Sequence, residues 1–114
     1  MPTNAVPQYD TETLPASWFD RDGYFAEPHL WNRATAARIA RAEGIPLLTA
    51  KHWEVIEHVR GKYFLLGALP VMRLVCRACA LDRHKAHKLF GSCKSLWRVA
   101  GLPHPGDEAD AYMN

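Results

Sequence analysis

The stretch HWEVIEHVRGKYFLLGALPVMRLV, residues 52–75, decides the fold class. Trp53, Ile56, Val59, Tyr63 and Leu66 recur at three- and four-residue steps, the spacing that lines up one face of an α-helix. Thr49, just upstream, can accept a bond from an orphan backbone N–H and so cap that helix, and Gly67 ends it. Pro70 suits the first turn of a following helix, where its missing N–H costs nothing. Val71, Leu74, Val75 and Ala78 then supply an apolar face. Two helices joined by a short glycine-containing turn loosely match a helix-turn-helix.

Working outward, the alanine-rich run from about Leu30 to Glu43 has high helix propensity, with Gly44 and Pro46 as a stop. Trp31, Ala34 and Ile39 are its expected buried positions. Further upstream, Asp22-Gly23 lies between the aromatic pairs Trp18-Phe19 and Tyr24-Phe25, the signal for a tight turn joining two short extended pieces. Residues 1–17 carry Pro2, Pro7 and Pro15 with few aliphatics and read as a mobile segment. Downstream, Lys85 to Phe90 forms a short helix closed by Gly91. Ser92 opens another that runs to about Ala100, before Gly101 and Pro103 end it.

The sequence closes on VAGLPHPGDEADAYMN, residues 99–114, an arm that leaves a helix through a stiff turn. Residues 104–114 set few apolar side chains against three acids, so weak docking or mobility is expected. The expected architecture is mainly α: a compact bundle of about five helices, a small N-terminal β-hairpin and a C-terminal arm. Its organisation divides into residues 1–17, a domain over 18–100, and the arm over 101–114.

At 114 residues the chain is one domain, long enough to bury a core without disulfides or a structural metal. No segment approaches the apolar length of a membrane span, and the first 20 residues lack a secretory pattern, so a cytoplasmic location is expected. Three cysteines, Cys76, Cys79 and Cys93, fit reduced thiols better than a disulfide framework. Net charge is only +2, but residues 71–100 carry +6 and residues 101–114 carry −3. A basic third thus sits directly before an acidic arm.

Thiol chemistry would need a reachable thiolate, and Cys93 comes closest, at the start of a helix with Lys94 beside it. Its plain alternative is a small half-buried residue. Cys76-Arg-Ala-Cys79 has the CxxC spelling, yet His84 and His87 are the only further ligands nearby and are wrongly spaced for a zinc knuckle, so packing is the expected role and no metal or cofactor is assigned. His52 and Glu54 point to different faces of their helix and make no acid–base pair. No catalytic residue is assigned beyond the weak candidate Cys93, and turnover by this chain alone is not expected. Arg73, Arg77, Lys85, Lys88, Lys94 and Arg98 form a candidate binding face for an acidic protein or for nucleic acid, unless they are solvated or paired with the arm's own Asp107, Glu108 and Asp110.

Residues 52–75, Leu89-Phe90 and RVAGLPHP at 98–105, preceded by DGYF, a helix and EGIPLLTAKHWE, resemble the DsrC/TusE family of small sulfur-relay proteins in order and spacing. The resemblance spans roughly residues 18–105. It implies a helical bundle with an N-terminal hairpin and a flexible arm, acting with a protein partner in a sulfur-relay or sulfite-reductase-like system. It also implies that the chemistry lies in the arm, where a penultimate cysteine after a GLPKP turn carries sulfur. DsrC members add a second cysteine before the turn, and TusE members pass sulfur toward tRNA thiolation. Here Trp97 stands at the inner position, GDEADAYMN replaces the working end, the connection before Leu89-Phe90 is shortened, and only Gly91-Ser92 follows it. The turn residues Gly101, Leu102 and Pro103 join the basic side chains as candidate binding residues. The expected function is a family member that has lost its carrier cysteines and acts as a binding, regulatory or scaffolding partner. Two alternatives stand beside it: a sulfur carrier using Cys93, and a helix-turn-helix-like DNA- or RNA-binding regulator.

Overall fold

The computed structural model describes residues 14–114 apart from Leu69, Val71, Tyr112 and Asn114. Among the described residues six α-helices follow one another: α1 (Arg33–Ala42), α2 (Ala50–Leu66), α3 (Met72–Ala78), α4 (Arg83–Phe90), α5 (Cys93–Val99) and α6 (Asp107–Ala111). At α1, α2, α4 and α5 a short polar side chain satisfies an orphan N–H at the helix start. Asn32 accepts from Thr35, Asp82 from Lys85 and Ser92 from Ser95. At α2 the cap is reciprocal: Thr49 accepts from the His52 N–H while the His52 ring accepts from the Thr49 N–H. Gly67 closes α2 in the left-handed region, at φ 72°.

The N-terminal hairpin is reduced to one antiparallel bridge between Phe19 and Phe25. Asp20 N–H donates to the Tyr24 carbonyl and Ala26 N–H to that of Trp18, with Gly23 at φ 87° in the turn. Its inward residues Tyr24 and Phe25 are fully buried. The rest of the core comes from Ile39, Ile56, Val59, Val75, Trp97, Val99 and Leu102. α1 packs on α5, α2 on α3, and α4 on both α3 and α5.

The expected mobile segment 1–17 lies largely outside the described residues, and so does Val71 of the expected α3 face. Several expectations are corrected. On α1 the buried residues are Thr35, Ala36, Ile39 and Ala40, while Ala34 is exposed and Trp31 half-buried. On α3 Val75 is buried, but Leu74 is half exposed and Ala78 faces solvent, because α3 turns Val75 and the following Cys79 toward the core. Leu66, at the end of α2, is exposed as well. For the arm, expected to be mobile or weakly docked, the structure shows a docked course. Asp107, Glu108 and Asp110 fall in the first turn of α6, where negative charge complements the helix dipole. The helix returns the chain to the body, and Met113 is buried in the common core at 3% exposure. The arm is docked, not free.

Candidate functional site

The turn at the end of α5 is where the arm begins, and three buried or half-buried donors hold it. The last carbonyls of a helix have no partner within it. Here Trp31 Nε1–H donates to the Val99 carbonyl at 2.9 Å, Arg60 Nη1–H to Ala100 at 2.7 Å, and Trp97 Nε1–H to Pro103 at 2.6 Å. Gly101 follows at φ 70°, with its N–H donating to Arg98 O and the Leu102 N–H to Trp97 O. The indole of Trp31 fills the space that a Cβ on Gly101 would take, so glycine is required there for both dihedral and steric reasons. Arg60 also lies 3.7 Å over that indole.

Beyond the turn, His104 Nδ1 accepts the Gly106 N–H, which leaves Nε2–H to donate to Asp22 at 3.0 Å. Tyr24 O–H donates to Asp110, and Lys94 Nζ lies 3.7 Å from the same carboxylate. Met113 Sδ touches the Tyr24 oxygen at 3.7 Å, and the Lys94 N–H donates to the Met113 carbonyl at 2.9 Å. The hydrogen bond from Tyr24, with Lys94 and His104 nearby, holds the Asp110 carboxyl below its ordinary value. Burial pushes the Tyr24 phenol above its ordinary value, and its hydrogen bond to Asp110 and the negative charges of Asp110, Asp20 and Asp22 add to the shift. A neutral phenol donating to a carboxylate is therefore the state that latches the arm.

The residues picked from sequence separate into three groups. Gly101 and Leu102 are buried and belong to the turn itself, so as folded they offer no surface to a partner, while Pro103 is half-buried. Lys94 and Arg98 are committed inside the chain, Lys94 to Asp110 and Arg98 to Glu43. Both are half-buried by this pairing. Arg73, Arg77, Lys85 and Lys88 are exposed, which leaves a smaller cationic surface on α3 and α4 than the sequence suggested.

None of the three cysteines is in a disulfide: Cys93 is exposed, Cys76 half-buried and Cys79 buried. Burial raises the Cys79 thiol above its ordinary value, with Glu54 adding to it, so Cys79 stays protonated. Among the described residues no group of three or more His, Cys, Asp or Glu is gathered as a metal site would require. His52 is structural, its second nitrogen lying 2.9 Å from the Leu89 carbonyl. Sequence reasoning missed Tyr24, Arg60 and Trp31 as parts of the arm's seat, because nothing local marks a residue whose partner lies far along the chain.

With that geometry in place, comparison with known proteins is decisive. A family model described as DsrC like protein matches residues 15–107. The chain belongs to this family. It is 37% identical over 95 residues to the sulfurtransferase TusE of Salmonella choleraesuis, covering 75% of this chain and 86% of that one. It is 34% identical over 95 residues to the Escherichia coli sulfurtransferase TusE, with the same coverage of 75% and 86%. Among solved structures, the oxidized gamma-subunit of the dissimilatory sulfite reductase (DsrC) from Archaeoglobus fulgidus superposes with a TM-score of 0.69 at 28% identity, over 77% of this chain and 88% of that one. The solution structure of the Pyrobaculum aerophilum DsrC/gamma subunit gives 0.68 at 28% identity, over 77% and 82%. This DsrC/TusE member therefore has the mainly helical fold of a sulfur-relay family. The matched region reaches Asp107, so α6 beyond that residue, together with Met113, extends past it. Among the described residues, no helix is long and apolar enough to cross a membrane. The nucleic-acid alternative gains no support from these relatives.

Proposed function

We propose that this chain serves a sulfur-relay or sulfite-reductase-like system as a binding partner, without carrying sulfur on its arm, and that it does so in the cytoplasm. The observation that carries the reading is the arm itself. Residues 101–114 contain no cysteine, and the segment that would present a thiol is instead latched through Asp110 and Met113. Trp97, at the place the family resemblance gives to the inner cysteine, is fully buried and hydrogen-bonded to the turn. The partner is a protein of the relay. Support for that comes from the relatives, one of them named as a subunit of a larger reductase.

A second reading rests on one observation: Cys93 is exposed, and it lies on the folded body where the arm docks. There it would take the outer sulfur of a donor persulfide and release the donor as a thiolate. One experiment separates the two readings. The chain and its Cys93→Ser variant are incubated with a persulfide donor, and intact mass and cyanolysable sulfur are measured. The binding reading expects no sulfur on either protein, together with equal capture of a relay partner by both. Sulfur that loads on the parent chain and disappears in Cys93→Ser would replace the binding reading with the carrier one.

A further inference from the structure

A cavity of about 700 Å³ opens between α3, α4 and α5. That volume lies in the range of small-molecule sites. Its floor is apolar and reaches the core, since Val55, Phe90 and Leu96 are each nearly fully buried yet line it, with Met72 and Leu81 continuing the wall. Arg73 and Arg77, one turn apart on α3, stand at its edge. Among the described residues neither guanidinium has a hydrogen-bond or ion-pair partner, unlike Lys94 and Arg98. The single carboxylate lining the cavity, Asp82, is engaged as the cap of α4. Cys76 and Cys93 both contribute to the wall.

We infer that this cavity binds a small amphipathic organic acid, its apolar body against Phe90, Leu96 and Val55 and its carboxylate or sulfonate on Arg73 and Arg77. An apolar floor under two exposed cations selects such a ligand on two grounds. A neutral apolar molecule leaves the arginines solvated but unused, and a bare inorganic anion leaves the floor uncovered. A polynucleotide is excluded by size and by the lack of an apolar body to its phosphodiesters. The inference does not depend on whether the arm or Cys93 handles sulfur.

The test uses 1-anilinonaphthalene-8-sulfonate as probe and N-phenyl-1-naphthylamine, its uncharged counterpart, as control. Fluorescence titration of the folded chain is expected to give saturable one-to-one binding of the sulfonate. In the Arg73→Gln/Arg77→Gln double variant the sulfonate should bind at least about tenfold more weakly, as removal of charge-assisted hydrogen bonds requires, while the uncharged probe is unaffected. Both arginines are exposed, so the variant's unfolding midpoint should match the parent's. Saturating sulfonate should also slow alkylation of Cys76 and Cys93 by iodoacetamide. Equal sulfonate affinity in the double variant, or thiols that alkylate equally fast with the probe bound, would overturn the inference. The second outcome would place the probe elsewhere, for example on the exposed Phe64, Leu65 and Leu66 at the end of α2. Absence of saturable binding would overturn it too.

Discussion

Replacing Gly101 with alanine should destabilise this protein far more than replacing any glycine in open space, and the size of the effect follows from the turn. A left-handed backbone at φ 70° costs a residue with a Cβ about 1–2 kcal/mol. The same Cβ meets the Trp31 indole, which must move and so give up its 2.9 Å bond to the Val99 carbonyl and its seat under Arg60. A buried carbonyl left without its donor costs about 1–3 kcal/mol. Together these give about 2–5 kcal/mol, or a fall in melting temperature of about 8–20 °C for a domain of this size. Gly67 is the internal control, because it has φ 72° with nothing near the added Cβ, and Gly67→Ala should lose only the dihedral cost. Thermal unfolding followed by circular dichroism measures both. In a Trp31→Ala background the Gly101→Ala cost should shrink to the Gly67→Ala value, since the obstacle is gone. The reasoning fails if the two glycine variants lose the same stability, or if the Gly101 penalty survives removal of Trp31.

The arm latch should hold only in a window of pH. The docked Asp110 carboxyl lies below its free value, so latching is present above about pH 4 and is lost as protons return below it. The docked Tyr24 phenol lies above its free value, so latching is complete below about pH 10 and is lost as the phenol ionises at higher pH. Hydrogen exchange at the Lys94 amide, which donates to Met113, reports it, and protection unchanged well below pH 4 would count against this account. The thiols should react in order of access, with Cys93 and Cys76 alkylated in the native protein and Cys79 only on unfolding, since burial keeps its thiol covered and protonated. Labelling of Cys79 at the rate of Cys93 would contradict that order. Trp97→Cys should not restore a working thiol at the inner position. It removes a fully buried indole and its bond to Pro103, at a cost of about 3–5 kcal/mol, and a variant as stable as the parent would refute the packing argument.

The parts of this fold that were legible in the sequence are those that depend on neighbours in the chain. Thr49, Ser92, Gly67 and Gly101 mark helix ends because capping is a matter of one side chain and a backbone group a few residues away. Burial on α3 was less legible. A seven-residue helix offers barely two turns of periodicity, and its neighbours α2 and α4 decide that Val75 and Cys79 face inward while Leu74 does not.

The arm shows the same limit more sharply. The turn GLP is readable as a motif, but its rigidity comes from Trp31, Arg60 and Trp97, which converge on it from three separate segments. The acidic run after it reads as solvated charge when counted alone. In three dimensions Asp110 finds Tyr24, a residue 86 positions away, and Met113 finds the same ring from 89 positions away. A few such long-range contacts are enough, because the turn already fixes the arm's direction and leaves only the short stretch after Pro105 to be ordered. The loss of backbone freedom is then confined to a handful of residues, against one buried thioether and one charge-assisted hydrogen bond.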